Sequence, residues 1–196
     1  FASSSSVYGA RDAPAVPFRE HDPCLRPASP YAATKRAGEL ICSNYRDLFG
    51  IGIASLRYFT VYGPRQRPEM AIHKFTQAID RGEPVTLFGD GGSARDYTYI
   101  DDIIDGTWAA CLAVKPRDFE IYNLGGSRAT TLKTLVDLVC GALGKRATIV
   151  WAPDQPGDVP TTFADVTRAG QAFGYAPKVV LEDGLARFVD WYRREN

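Results

Sequence analysis

The chain has 196 residues, of which 45% are hydrophobic, so it can bury a sizeable core and form one or two domains. Its 23 basic and 23 acidic residues balance, which gives no support to a nucleic-acid-binding or membrane-surface role. The apolar stretches are too short to span a bilayer and no charged, then apolar, leader is visible, so we expect a cytoplasmic protein.

The first predicted element is a strand of small residues from Phe1 to Val7, which runs into a turn at Tyr8-Gly9. Ser29 followed by Pro30 predicts a helix start, and apolar residues at helical spacing extend that helix to Gly50. In α/β proteins ligands bind where a strand ends and the next helix begins. We therefore expect the functional site in this part of the chain.

Strands and helices alternate along the rest of the chain without an internal repeat, which predicts an α/β fold with a parallel sheet and flanking helices. Asp101 is predicted to cap a helix, and we interpret Asp101 and Asp102 as capping residues rather than a catalytic pair. The further predicted strands span 51–58, 85–88, 119–124 and 147–151. The further predicted helices span 70–81, 101–114, 132–143 and 181–191, and 153–160 is a predicted loop.

Tyr31 and Lys35 carry the clearest chemical signal. Residues four apart on a helix lie on one face, so the Lys35 ammonium can stabilise a phenolate at Tyr31. A tyrosine so placed can serve as a general base near neutral pH. The alternative is a surface tyrosine beside a solvated lysine, because a YxxxK sequence is common by chance.

The serines from Ser3 to Ser6 supply hydroxyl groups just before this helix. Alternate residues of a strand face opposite sides, so Ser4 and Ser6 are predicted on one face and Ser3 and Ser5 on the other. The alternative is a small-residue strand end that lets neighbouring backbone approach.

The cysteines are scattered without a C-x-x-C pair, so we expect reduced thiols. His21 and His73 lie in unrelated segments without ligand spacing, and no metal site is predicted. The cysteines are Cys24, Cys42, Cys111 and Cys140.

Five segments together resemble the extended short-chain dehydrogenase/reductase superfamily, specifically its NAD-dependent epimerase/dehydratase family. The resemblance covers essentially the whole chain, with the segments in the family's order. They are SSSSVYG at 3–9, SPYAATK at 29–35, LRYFTVYGP at 56–64, RDYTYIDD at 95–102 and QPGDV at 155–159.

The resemblance implies the C-terminal half of a Rossmann-type parallel sheet plus a smaller α/β domain that binds a sugar nucleotide. Residues 1–60 and about 101–125 are assigned to the first domain, and 61–100 and 126–196 to the second. The glycine-rich turn that holds the dinucleotide pyrophosphate in this family is missing, since Gly89 to Gly92 precede no predicted helix. We therefore expect part of the nucleotide-binding domain upstream of Phe1, and weak NAD binding by this chain alone.

The activity implied by the resemblance is NAD-dependent 4-epimerisation of a UDP-sugar through a transient 4-keto intermediate. It assigns catalysis to Ser4, Tyr31 and Lys35, and NAD contacts to Tyr31, Lys35 and Tyr58. The substrate residues that it implies are Ser5, Ser6, Thr60, Arg67, Thr86, Phe88, Arg95 and Asp158. It also implies a homodimer through the YxxxK helix and the next long helix, with Leu40, Ile41 and Tyr45 as candidate contacts.

Residues 63–71 are most similar to UDP-glucuronate 4-epimerases, with Glu69 where those enzymes typically have Asp. A 4-keto uronate is a β-keto acid that loses carbon dioxide readily, so its carboxylate must be held. Arg67 is the candidate for that role and Arg65 the alternate, because a guanidinium binds a carboxylate through paired hydrogen bonds. The alternatives are a UDP-glucose 4-epimerase, another nucleotide-sugar epimerase or decarboxylase, and a truncated noncatalytic module that binds sugar nucleotides.

Overall fold

The computed structural model of the chain describes residues 1–9, 16–153 and 161–195, and within these ranges the predicted α/β class is confirmed. The strands are β1 (Ala2–Ser4), β2 (Ile53–Tyr58), β3 (Thr60–Tyr62), β4 (Val85–Phe88), β5 (Ala94–Arg95), β6 (Tyr97–Tyr99), β7 (Phe119–Leu124), β8 (Thr130–Thr131), β9 (Ile149–Ala152) and β10 (Thr161–Thr162). The helices are α1 (Pro30–Phe49), α2 (Ala71–Arg81), α3 (Ile100–Ala113), α4 (Leu132–Leu143), α5 (Thr167–Phe173) and α6 (Leu181–Glu195).

The main sheet has the order β1-β2-β7, and all three strands are parallel. Ser4 pairs with Tyr58, and Tyr58 pairs with Leu124, so the three strands end level with one another. Two further strand pairs, β3 with β6 and β4 with β9, are also parallel. The remaining sheet, β10-β5-β8, contains an antiparallel pair, β5 with β8, which the alternation of elements did not predict.

Helix α1 begins and ends as the sequence predicts. The Ser29 hydroxyl accepts a hydrogen bond from the Ala32 backbone N–H, and Pro30 occupies the first helical position. Gly50 closes the helix at φ +67°, a left-handed conformation that glycine adopts without strain. These local signals fix the start of α1 beside the end of β1.

The described residues form three apolar clusters, and the smallest contains Val7, Tyr8, Phe18, Phe59 and Ala164. The two larger clusters form the main cores. One joins the main sheet to α3 and α5 through Leu56, Ile103, Leu124 and Ala169. The other lies among α2, α4 and α6 and the strands β4 and β6. Its most buried members are Tyr62, Ile72, Ile79, Leu87, Leu135, Val139, Leu185 and Phe188. The predicted domain boundaries themselves stay a prediction.

Two predictions near helix starts are wrong. The first strand ends at Ser4 instead of Val7, because the Ser4 hydroxyl accepts from the Ser6 backbone N–H and starts a short 3-10 helix over Ser5–Tyr8. Helix α3 begins at Ile100, and its cap position is Tyr99 rather than Asp101. Asp102 accepts two hydrogen bonds from the backbone N–H groups of residues 178 and 179 instead.

The elements that the sequence did not predict are short: β3, β5, β6, β8, β10 and α5 have between two and seven residues each. A strand of two or three residues contains too few side chains to show a period of two. Helix α5 spans only two turns and its cap position, Val166, makes no side-chain cap hydrogen bond.

Within the described ranges, none of the helices is both long and apolar enough to cross a membrane. The same part of the chain contains no group of three His, Cys, Asp or Glu side chains arranged to hold a metal ion. The four cysteines carry free thiols, and Cys42 and Cys140 lie in α1 and α4.

Candidate active site

A cleft of about 460 Å³ opens where the strands of the main sheet end. The end of β1, the first turn of α1, the junction of β2 with β3 and the loop that precedes α2 line it. Six of the predicted site residues lie on its wall: Ser4, Ser5, Tyr31, Tyr58, Thr60 and Arg67. The further lining residues, which the sequence did not single out as lining this site, are Ser3, Phe59, Val61, Gln66 and Met70, together with the alternate Arg65.

Ser4 lies half-buried at the end of β1, where the chain turns into the 3-10 helix. Its hydroxyl oxygen is 3.2 Å from the Ser6 backbone nitrogen and 3.0 Å from the Ser6 hydroxyl, which donates to it. Ser6 therefore bonds to Ser4 and is absent from the lining of the cleft, whereas Ser5 is part of it. The strand alternation that placed Ser4 and Ser6 on one face fails because the strand has already ended.

Tyr31 and Lys35 share one face of α1, as their spacing predicts. The Lys35 Nζ lies 5.6 Å from the centre of the Tyr31 ring and donates to the Ala2 carbonyl oxygen at 2.9 Å. Tyr31 is 56% exposed, and its ring lines the cleft. The bond to Ala2 holds the Lys35 ammonium between the start of β1 and the tyrosine ring.

Tyr58 and Thr60 reach the cleft from the junction of β2 with β3. The Tyr58 hydroxyl pairs with the Thr107 hydroxyl at 3.1 Å, which ties the end of β2 to helix α3. Thr60 is half-buried, and its backbone nitrogen donates to the Asp96 carbonyl oxygen at 3.0 Å. Hydrogen bonds to neighbouring parts of the fold therefore position both residues at the wall of the cleft.

The two candidate arginines enter the cleft from the loop before α2. Arg67 is 75% exposed, and its Nη1 lies 3.3 Å from the Glu69 carboxylate. Arg65 has a left-handed backbone with φ +64°, which residues other than glycine adopt only where their surroundings hold it. Both arginines line the cleft, and the exposed Arg67 guanidinium is paired with Glu69.

The residues predicted for the nucleotide lie outside this cleft. Thr86 and Phe88 are on β4, and Arg95 is on β5, where its guanidinium donates to the Ser93 hydroxyl and the Ala94 carbonyl. Asp158 lies outside the described residues. The turn from Gly89 to Ser93 leads into β5, so it does not join a strand to a helix as a pyrophosphate-binding turn does.

A buried polar network lies directly behind the cleft. Arg57 and Glu39 form a two-point ion pair with both N···O distances 2.8 Å, and Glu39 also accepts from Ser3 at 2.6 Å and from Arg36 at 2.8 Å. Arg57 is 1% exposed and its guanidinium stacks on the Tyr8 ring at 4.7 Å. The network therefore joins α1 to β1 and β2 within one residue of Ser4.

The electrostatics of this network favour the charged pair. Burial alone raises the pKa of Glu39, but the hydrogen bonds from Arg57 and Ser3 outweigh it and hold that pKa below its ordinary value. Burial raises the pKa of the Tyr8 phenol, which donates to Asn123 at 2.6 Å and stays neutral. Glu39 is thus an ionised carboxylate inside the protein, fully paired with donors.

Glu39 was not among the predicted site residues, although the sequence carries a signal for it. Tyr31, Lys35 and Glu39 are spaced by four residues, so all three lie on one face of α1. A carboxylate on the face that packs against a sheet needs a cationic partner, and Arg57 is a charged residue in the middle strand.

The likeness to known proteins agrees with this geometry. A sequence model of the NAD dependent epimerase/dehydratase family matches residues 1–125. The chain belongs to this family. The UDP-glucuronate 4-epimerase of Thermodesulfobacterium geofontis is 40% identical over 191 residues, which cover 97% of the chain and 57% of that protein.

Solved structures of the NAD dependent epimerase/dehydratase type superpose on the whole chain. The UDP-glucuronic acid 4-epimerase from Bacillus cereus, in complex with UDP-glucuronic acid and NAD, gives a TM-score of 0.92 at 39% identity and covers 100% of the chain. The UDP-glucose 4-epimerase from Thermotoga maritima, with UDP-glucose, gives a TM-score of 0.92 at 34% identity and also covers 100%. These likenesses confirm the predicted Rossmann-type fold.

The chain spans less than two thirds of each of these relatives: 57% of the first, 61% of the second and 63% of the third. The shared part contains the YxxxK helix, the serine strand and the loop with Arg65 and Arg67. The shared part therefore includes the described residues that line the cleft.

Proposed function

We propose that the full-length protein containing this chain is an NAD-dependent UDP-sugar 4-epimerase, and that its substrate is UDP-glucuronate. The observation that carries the proposal is the cleft, where Ser4, Tyr31 and the Arg65–Arg67 loop face one space. The likeness to UDP-glucuronate 4-epimerases over nearly the whole chain supports the same reaction.

In the proposed reaction, Tyr31 removes the proton from the 4-hydroxyl of the sugar and later returns a proton to the 4-oxygen, once C4 has the opposite configuration. Lys35 holds positive charge next to the phenolate during this step, because its ammonium is bonded to the Ala2 carbonyl. The Ser4 hydroxyl donates to the developing 4-oxygen. The proposal thus directs three groups at one carbon centre, as acid–base catalysis requires.

The residues present fit the nicotinamide end of NAD. Tyr31 and Tyr58 line the same cleft, and Lys35 lies beside Tyr31 with its ammonium hydrogen-bonded to the Ala2 carbonyl. When bound, the cofactor accepts hydride from C4 and returns it. Within the described ranges no glycine-rich turn joins a strand to a helix, so we propose that this chain alone holds only part of the cofactor.

Arg67 is proposed to bind the C5 carboxylate of the uronic acid, with Arg65 as the alternate. A carboxylate in the cleft can replace Glu69 as the partner of Arg67, since the Arg67–Glu69 pair is exposed and weak. Thr60 and Ser5 are proposed to contact the sugar hydroxyls. Arg95, Thr86 and Phe88 are proposed to hold the UDP group, together with Asp158.

A UDP-glucose 4-epimerase is the second candidate, because the Thermotoga maritima enzyme superposes as closely as the Bacillus cereus enzyme. The two substrates differ at C6, where one has a carboxylate and the other a hydroxymethyl group. The two cationic side chains in the loop before α2 favour the carboxylate. Selectivity between the two sugars therefore tests the assignment.

The full-length protein, supplied with UDP-glucuronate and NAD, is expected to form UDP-galacturonate, because the cleft combines the acid–base groups with a carboxylate-binding loop. Proton NMR of the product mixture distinguishes the epimers. The chain of residues 1–196 alone is the control and is expected to be inactive, since losing cofactor positioning forfeits roughly 7–11 kcal/mol. UDP-xylose or a 4-keto pentose as the main product would contradict the proposal, as would a strong preference for UDP-glucose.

We further propose that the full-length protein forms a homodimer through α1. Ile41, Tyr45 and Phe49 follow one another at four-residue spacing and are at least half-exposed, and Leu40 and Leu48 extend the apolar surface. Helix α2 buries its apolar residues among α4 and α6, so it offers no comparable surface. An apolar helix face of this kind suits an isologous contact.

Light scattering on the full-length protein at micromolar concentration is expected to show a dimer. Replacing Ile41 with Lys places a charge at the centre of this surface, so the variant is expected to be monomeric. The Lys145→Glu variant, which changes a partly exposed side chain just after the end of α4, is the control and should stay dimeric. A wild-type protein that is only monomeric would refute the α1 contact.

A further inference from the structure

His73 lies on α2 within an aromatic cage. It is 9% exposed, and its ring is edge-on to three aromatic rings of α6, with centroid distances of 5.7 Å to Phe188, 5.9 Å to Trp191 and 6.0 Å to Tyr192. The cage fixes the plane of the imidazole. The proposed reaction uses none of these four residues.

The one hydrogen bond that the structure gives His73 leads to the cleft. Its Nδ1 lies 2.9 Å from the carbonyl oxygen of Gln66, and a carbonyl only accepts, so Nδ1 is the donor. Gln66 is held at two more points: its backbone nitrogen donates to the Gly63 carbonyl at 3.1 Å and its side-chain amide to the Val61 carbonyl at 3.0 Å. Gln66 is therefore held in place between two exposed neighbours, Arg65 and Arg67.

Gln66 stands between the two arginines that enter the cleft. Arg65 precedes it in a left-handed conformation with φ +64°, which requires support from the surrounding structure. Arg67 follows it, and the Arg67 carbonyl accepts from the Met70 backbone N–H at 3.0 Å. The directions of both arginine side chains thus depend on how the Gln66 peptide is held, and His73 holds that peptide from outside the loop.

We infer that His73 is a positioning residue for sugar selectivity. By holding the Gln66 carbonyl, it fixes the backbone from which the Arg67 side chain enters the cleft, where the carboxylate of a uronic acid would bind. This inference rests on the proposed function, because it assigns to the loop the anion that the proposed substrate carries. It adds to the residues proposed to touch the sugar a second kind of residue, His73, which acts through the loop and does not touch the sugar.

The position of the carboxylate decides the fate of the 4-keto sugar. If the C5–C6 bond lies parallel to the carbonyl π system, it breaks, carbon dioxide leaves, and the bonding electrons form an enolate across C4 and C5. A proton from water then returns to C5, which leaves a 4-keto pentose. A guanidinium held in one place keeps the carboxylate out of that alignment through paired hydrogen bonds.

The test compares three variants of the full-length protein. His73→Phe keeps a ring in the cage and removes the bond to Gln66, whereas His73→Asn keeps an N–H donor. The expected result for His73→Phe is an approximately tenfold fall in the ratio of kcat/KM for UDP-glucuronate to that for UDP-glucose, about 1.4 kcal/mol. A larger pentose fraction is expected in the product. His73→Asn is expected to restore both towards wild type.

The third variant, Phe188→Leu, is the matched control, because it loosens the cage but leaves the Nδ1 bond possible. It is expected to lower Tm and leave the sugar ratio unchanged. Equal changes of the ratio in His73→Phe and Phe188→Leu would overturn the inference, because the role of His73 would then be structural. An unchanged ratio in His73→Phe would overturn it as well.

Hydrogen exchange separates this inference from the proposed function. The Gln66 and Met70 backbone amides are expected to exchange faster in His73→Phe than in wild type or Phe188→Leu, whichever sugar the protein uses. If wild type does not act on UDP-glucuronate, the proposed function fails, and the uronate selectivity fails with it. Unchanged exchange at both amides would instead overturn the loop anchor itself.

Discussion

Replacing Tyr31 with phenylalanine is expected to lower kcat of the full-length protein by about a hundredfold to ten-thousandfold, the usual contribution of a positioned general base. The variant removes only the phenol oxygen, and the ring that Lys35 approaches at 5.6 Å remains. KM for the sugar nucleotide is expected to change little, since the proposed contact of Tyr31 with the sugar is limited to the reacting hydroxyl. Steady-state assays of product formation measure both constants.

Tyr45→Phe is the matched control for this experiment. Tyr45 lies on the same helix, is 50% exposed and packs against Phe49 with ring centroids 5.2 Å apart, outside the residues that line the cleft. Its loss of a hydroxyl is expected to leave kcat unchanged. A Tyr31→Phe protein that keeps more than half of the wild-type kcat would show that another group removes the proton.

Replacing Glu39 with glutamine is expected to lower the free energy of unfolding of the chain by about 3–5 kcal/mol, because it leaves the buried Arg57 cation without a counterion. The side-chain shape is nearly unchanged, so the effect reports the charge. Urea unfolding of wild type and variant measures the difference. The Glu120→Gln variant is the control: its partner Arg168 is exposed, and a loss below about 1 kcal/mol is expected.

The effect of Glu39 also depends on pH. Because its pKa is lowered in the folded protein, its contribution is fully present above the unfolded pKa of about 4.3 and is lost as pH falls through the folded pKa. The difference between wild type and Glu39→Gln is therefore expected to narrow below about pH 4.3. A difference that stays constant down to pH 2 would show that the ionised carboxylate contributes nothing to stability.

Local signals in the sequence were sufficient for helix α1 and its reactive pair. Ser29, Pro30 and Gly50 determine where the helix starts and stops, and the four-residue spacing of Tyr31 and Lys35 follows from helix geometry alone. The resemblance added the residues that meet Tyr31 in the cleft, Ser4 and Arg67 among them. Both kinds of inference work where the deciding contacts lie within a few residues or within a shared motif.

The remaining features depend on contacts between distant residues. The first strand was predicted to continue through Ser6, but it ends at Ser4, whose hydroxyl accepts a hydrogen bond from the Ser6 backbone N–H. The Glu39–Arg57 pair joins residues 18 apart, and the bond from His73 to Gln66 joins two elements whose packing depends on α6. The periodicity of the sequence does not show which distant residue a buried charge or imidazole will contact.

Helix α1 has an unusual division between its two sides. Its buried residues are Ala32 and Glu39, so it attaches to the sheet through directional polar contacts, while most of its large apolar side chains face outward. Ion pairs and hydrogen bonds fix the rotation of a helix about its axis more strictly than apolar packing does. Substitutions on the outer side can therefore alter the proposed dimer contact without turning Tyr31 away from the cleft. The proposed association and the proposed catalysis can thus diverge independently on one helix.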